Sequence, residues 1–288
     1  MANLFPKKSI VLLSEPLIPL ILFILTIFTT LSAGAIWEGV DIFSEPSNIL
    51  KGWPFSLTLL CILLSHEFSH YIASRLHKTK ATLPYFIPAP TAIGTFGAII
   101  KMKSPIKTRK ALIDIGAAGP LAGFIVSIVA SVIGLNLSQV VKSAEIKGIG
   151  FGTSIIFWIL SRFTIGDVPD GYAILLHPVA FAGWIGFLVT SLNLLPVGQL
   201  DGGHITYALF GQAHRYISKI FIAILFTLGV IAWYGWLVWA GLLLILGIKH
   251  PPVLFWEERL NPSRRIIGML SIIIFILSFI PAPLQTIS

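Results

Sequence analysis

From Trp53 to Arg75 the chain offers an apolar run long enough to cross a bilayer, and His66-Glu67-Phe68-Ser69-His70 sits inside it. Burying a single ionisable side chain in hydrocarbon costs on the order of 3 kcal/mol, yet three fall here within five residues. The fold must therefore turn these groups toward one another or toward a water-filled cavity. On a helix, His66 and His70 project from one face about a turn apart, and Glu67 lies beside that face, within reach of a water held between them. Two neutral imidazoles and an adjacent carboxylate are what a hydrolytic zinc site requires, which predicts one zinc ion per chain.

The rest of the chain asks for the same solvent. Hydrophobic residues make up 56% of it and charged residues 11%, against roughly 25% charged in ordinary soluble domains. Apolar segments of span length run over Leu17–Trp37, Phe55–Leu76, Ala111–Leu135, Tyr172–Leu195, Ile217–Trp233, Tyr234–Ile248 and Ile266–Pro283. The stretch Gly150–Leu160 is too short to cross and reads as interfacial or re-entrant. The fold class expected is an all-α polytopic membrane protein with six to seven transmembrane helices. Three regions follow: an anchor span with an external loop (1–54), a membrane core (55–214) and C-terminal helices (215–288).

Charge orients these spans. With the N-terminus cytoplasmic and seven alternating crossings, all of the 20 Lys and Arg except Lys51, Lys142, Lys147 and Arg162 fall on the cytoplasmic side, as the positive-inside rule demands. The net charge of +8 is then topological, directed at anionic lipid head groups rather than nucleic acid. The first span, with a basic start and Ala33-Gly34-Ala35 near its end as a small-residue cleavage site, is read as an uncleaved anchor rather than a signal peptide. Cys61 is the only cysteine, which rules out an intrachain disulfide. The plasma membrane is the expected location, with a plastid or other organellar membrane as the alternative.

A tetrahedral zinc site needs a third protein ligand. Asp201, in the stretch Asn193-Leu194-Leu195-Pro196-Val197-Gly198-Gln199-Leu200-Asp201-Gly202-Gly203-His204, is the best candidate. Pro196 and Gly198 break the helix there, and irregular backbone at membrane depth is tolerated where it lines a cavity. Asp114 is the rival, although its position suits stabilising a helix N-terminus. His204 either orients Asp201 from behind or sits at a helix start. His177, before Pro178, is expected to be structural, and His77, His214 and His250 interfacial.

Between the second and third spans, Leu83–Pro90 is too rich in proline for a helix, and Gly94–Lys103 favours strand. A small membrane-associated hairpin is expected, either covered by protein with an edge that can pair with a substrate strand or lying as an ordinary amphipathic hairpin on the membrane surface. The substrate contacts are assigned to Gly94, Thr95, Phe96 and Gly97. In the third span, Gly119-Pro120-Leu121-Ala122-Gly123 forms a small-xxx-small face for close helix packing.

Taken together, HEFSH within a span, GPLAG and NLLPVGQLDGGH, in that order over Phe55–Gly211, resemble the site-2 protease family of intramembrane zinc metalloproteases. The resemblance implies zinc ligation by His66, His70 and Asp201, a catalytic role for Glu67, and contact of Asn193 with the substrate carbonyl or its oxyanion. It implies transmembrane proteins as substrates and regulated intramembrane proteolysis as the activity. A metalloprotease with a glutamate as third ligand has only Glu145, Glu257 and Glu258 to draw on, all in connectors. The competing functional classes are a metal-ion transporter and a proteolytically inactive membrane chaperone. A transporter shows polar groups along several spans, and an inactive relative lacks the glutamate or a ligand. Here the polar groups converge and all four residues are present.

Overall fold

The structure, a computed structural model, describes residues 17–145, 148–256 and 259–287. Lys7, Lys8, Lys147, Glu257 and Glu258 lie outside the described residues. Four helical segments are long and apolar enough to cross a membrane: Leu17–Trp37, Pro46–Leu76, Arg109–Asn136 and Asp201–Ile231. The first is helix α1. The second is a 3-10 turn over Pro46–Gly52 leading into α2 (Trp53–Leu76), and the third is α3 (Arg109–Asn136), opened by the Thr108 hydroxyl accepting from the Ala111 N–H at 3.1 Å. Outward faces are apolar, with Phe28, Ile125, Ile133, Phe226 and Ile245 among the exposed side chains. That inversion of the soluble pattern suits a lipid solvent.

Several expected spans are shorter or divided. The segment Tyr172–Leu195 is not one helix: Tyr172–Leu175 is a strand, β5, and the helix α5 runs only from Pro178 to Asn193. Pro178 has no N–H to continue a helix backwards and fits its first turn, and His177 caps it by accepting from the Val179 N–H. The stretch expected to be interfacial or re-entrant splits into strand β4 (Gly148–Phe151) and the ten-residue helix α4 (Ile155–Thr164). At 1.5 Å per residue, α4 covers only about 15 Å.

Beyond α5 lie α6 (Asp201–Phe210), α7 (His214–Ile231), α8 (Gly235–Leu246) and α9 (Pro262–Ser278). The apolar segment Asp201–Ile231 is two helices folded back on each other. Gly202 of α6 packs on the Leu194 carbonyl, while Ser218 of α7 donates to the Pro196 carbonyl. One straight helix cannot bring both residues to the same loop. The bend falls at Gly211, which has φ +63°.

Contacts define two ends of the bundle. At one, Asp114 near the start of α3 accepts from Arg264 of α9 (2.6 and 3.0 Å) and pairs with His77 after α2 (2.8 Å). Asp114 is thus a clasp between three elements, which corrects the helix-terminus role expected for it: Arg264, 150 residues away, outcompetes the helix end. At the other end, β3 (Gln139–Lys142) pairs antiparallel with β5, and β4 pairs with β6 (Leu284–Ile287), the strand that follows α9. Trp37 at the end of α1 meets Phe151 and Phe181 there.

Between α2 and α3, β1 (Tyr85–Pro88) and β2 (Thr95–Ile99) form the expected hairpin, with Tyr85 opposite Ile99 and Pro88 opposite Thr95. Its tip reaches the far end of α1, where the Trp37 indole donates to the Ala92 carbonyl at 2.7 Å. Gly94 packs directly on the backbone of Thr29 and Thr30 in α1, so one face of this sheet is covered by protein, as a sheet at membrane depth requires.

Candidate active site

Helix α2 brings the His66 and His70 rings together as their spacing predicts. Their Nε2 atoms lie 3.1 Å apart, and Asp201 Oδ2 lies 3.3 Å from the first and 3.1 Å from the second. A tetrahedral ion with ligand bonds of 2.0–2.1 Å separates its donors by about 3.3 Å, so this triangle has the dimensions of one face of a zinc tetrahedron. Among the described residues, these three form the one group of His, Cys, Asp or Glu that is close enough to hold a metal ion. The donor chemistry agrees as well. His70 Nδ1 donates to the Ile115 carbonyl at 2.7 Å, which fixes the proton on Nδ1 and leaves the Nε2 lone pair facing the other two donors.

That arrangement depends on α3 coming very close. A Cβ on Gly119 would stand 2.1 Å from His70 Nε2, and one on Gly123 would stand 3.1 Å from His66 Nδ1. The GPLAG segment is therefore more than a helix-packing face: it makes room for the ligand rings themselves. Asp201 arrives from a different direction. Helix α5 ends at Asn193, the chain turns through Leu194–Leu200 with Gly198 at φ +57°, and α6 opens at Asp201, whose first turn is the favourable end for a carboxylate. The turn is tight enough that a Cβ on Gly202 would fall 1.9 Å from the Leu194 carbonyl oxygen.

The three residues open into a cavity of about 220 Å³, lined by Glu67, Asn193, Gln199, Leu200 and His204, and also by Ala98, Ile99, Ile100 and Met102. Glu67 is buried and shares the cavity lining with Ile100. The Asn193 amide nitrogen lies 3.3 Å from His66 Nε2. A carboxylate and an amide donor thus flank the point on which the three donor atoms converge.

The remaining expectations divide. The hairpin does form a wall of the cavity, but through Ala98–Ile100 and Met102. Gly94, Thr95, Phe96 and Gly97 lie nearer its tip and do not line the cavity. Thr95 is buried and donates to the Ile87 carbonyl, and Phe96 is exposed. Asp114 is held by Arg264 and His77, away from the donor triangle. His204 lines the cavity, yet its Nδ1 bonds His250 Nε2 at 2.6 Å rather than Asp201. His214 is buried against Ser218, and burial pushes His250 below the usual histidine range. The Ile115 carbonyl carries no side-chain signal, and only the fold reveals it.

Comparison with known proteins adds a consistent set of likenesses. A profile of peptidase family M50 matches residues 54–234. Probable zinc metalloprotease EGY1, chloroplastic, from Oryza sativa subsp. japonica is 32% identical over 92% of this chain and 50% of its own length. Its namesake from Arabidopsis thaliana is 30% identical over 92% of this chain and 53% of its own length. Probable zinc metalloprotease EGY2, chloroplastic, from Arabidopsis thaliana is 29% identical over 84% and 45%. The chain spans about half the length of the curated relatives it matches. Their chloroplastic names lend no support to the expected plasma-membrane location, while the apolar helices support a multi-pass membrane protein.

Proposed function

This chain belongs to peptidase family M50, the site-2 proteases, and from that premise we propose that it hydrolyses peptide bonds in or beside the transmembrane helices of membrane-protein substrates. The observation that carries this reading is the convergence of His66, His70 and Asp201 on one point flanked by Glu67 and Asn193 in a single cavity. His66 Nε2, His70 Nε2 and Asp201 Oδ2 are the zinc ligands. A zinc ion held by these three residues would supply Lewis acidity toward the scissile carbonyl and acidify a water at the site. Glu67 takes the proton of the attacking water and returns it to the leaving amine. The Asn193 amide donates to the carbonyl oxygen as negative charge develops on it. The Ile115 carbonyl keeps His70 in the ligating tautomer. No residue needs to form an acyl-enzyme.

A transmembrane helix shields its carbonyls in hydrogen bonds, so the substrate must unwind before it is cut. Strand β2 offers an edge for the unwound segment, with Ala98 and Ile99 lining the same cavity as Glu67, Thr95–Gly97 further along the strand toward the hairpin tip, and Gly94 just before it. We further read α1, α2, α3, α5, α7, α8 and α9 as seven crossings, with the basic end of the bundle cytoplasmic or stromal. The chloroplastic relatives favour a plastid-type membrane.

Co-expression with single-span candidate substrates tests the activity directly. Wild type is expected to yield a truncated product. Glu67→Gln keeps the ligands and should bind zinc while losing cleavage by at least about a hundredfold. Failure of zinc-loaded wild type to cut any spanning substrate would sink the reading.

A further inference from the structure

The donor triangle, Glu67 and Asn193 leave two polar side chains of the cavity without a task, Gln199 and His204; Gln199 is exposed, whereas His204 is held by a neighbour. His204 lies on the wall formed by Gln199–His204, while β2 forms another. Its tautomer follows from its neighbours. His250 Nδ1 meets the Pro251 carbonyl at 2.6 Å, and only an N–H can make that bond, so His250 Nε2 carries a lone pair. His204 Nδ1 must then donate across the 2.6 Å contact to it, leaving the lone pair of His204 on Nε2. That nitrogen has no hydrogen-bond partner among the described residues. His250 is itself held in place, stacked on Tyr207 with ring centroids 4.3 Å apart and planes 12° from parallel, and Tyr207 packs against Trp256. The burial that disfavours a charged His250 helps keep its Nε2 an acceptor.

We propose that His204 Nε2 accepts a hydrogen bond from a substrate backbone N–H directed away from β2, and that His250 holds His204 in the tautomer that permits this. The inference rests on the protease reading above. Successive N–H groups of an extended segment point to opposite sides. Those facing β2 pair with its edge, whereas one facing the other wall would be buried without an acceptor, which is unfavourable. His204 is the side chain on that wall with an unengaged imidazole lone pair. The bond it makes is to His250, so it does not act by orienting Asp201.

The test uses purified full-length, zinc-loaded protein and a single-span peptide that wild type cuts, remade with one flanking backbone amide at a time replaced by an ester, which removes one N–H. At one position the ester should lower wild-type kcat/KM about tenfold. His204→Ala should lower it about tenfold on the all-amide peptide, with no further loss from that ester. His250→Ala, in which the His204 tautomer is no longer set, should lose about threefold, and both variants should retain one zinc per chain. Ester and His204→Ala losses that multiply at every position would overturn the proposal. So would loss of zinc from His204→Ala, which would make it a support for Asp201. A wild type that cuts no peptide overturns the protease reading and this inference together, whereas one that cuts with multiplying losses overturns this inference alone.

Discussion

At the scale of single residues, the site depends on atoms that are missing as much as on those present. Gly119 leaves the space in which His70 Nε2 can meet its partners, and a methyl group there would stand 2.1 Å from that nitrogen. Gly119→Ala is therefore expected to hold well under half a zinc per chain by metal analysis and to lose at least about a hundredfold in cleavage. Gly123→Ala, with 3.1 Å of clearance to His66 Nδ1, should be milder on both measures. Asp114 gives the contrast. Asp114→Asn weakens a half-buried ion pair remote from the donor triangle, so zinc should stay at one per chain while unfolding stability falls by about 1–3 kcal/mol. Full zinc in Gly119→Ala, or zinc loss in Asp114→Asn, would contradict the assignment of ligands. The two histidines, Glu67 and Asp201 were legible in the sequence because their chemistry has a fixed spacing or a helix-breaking context. The clasp role of Asp114 was not, because its partner Arg264 is distant in the chain and nothing local announces it.

At the scale of elements, the turn between α5 and α6 converts a membrane helix into a ligand-bearing arm. Pro196 and Gly198 showed in the sequence that a helix must stop there, and Asp201 does follow the break. The beginning of α5 was harder to read, since Tyr172–Leu176 is as apolar as a helix and short apolar runs do not distinguish strand from helix. His177-Pro178 carried the missing signal, because a residue before proline avoids helical backbone. The close approach of α6 to the end of α5 also makes a prediction. Gly202→Val forces side-chain atoms into the Leu194 carbonyl oxygen, which a Cβ alone would meet at 1.9 Å. It should push α6 outward, withdraw Asp201 and lower zinc occupancy to the level of Asp201→Ala. Unchanged zinc in Gly202→Val would mean that Asp201 reaches the histidines by a route other than this turn.

At the scale of the whole molecule, the charge distribution and the contacts make the same division independently. The Asp114–Arg264–His77 clasp ties the end of α2 to the starts of α3 and α9, in the neighbourhood of Lys78, Lys107 and Lys110. Strands β3 to β6 and Trp37 gather at the opposite end, where basic residues are few. If the seven-crossing reading holds, single cysteines replacing Lys78 and Lys107 should react with a membrane-impermeant maleimide only from the cytoplasmic or stromal side. A cysteine replacing Asp41, in the loop between α1 and α2, should react only from the other side, and so should one replacing Lys142 of β3. The background for all four must be Cys61→Ser, because Cys61 is an exposed free thiol on α2. The Lys142 variant is the most informative of the set. Its strand directly follows α3, so its side reports whether α3 crosses, and its pairing with β5 puts the start of α5, beyond α4, on that same side. Labelling of Lys142→Cys from the same side as Lys78→Cys would make α3 and its neighbours a different set of crossings. It would also separate the arm carrying Asp201 from the end to which the charge rule assigns it.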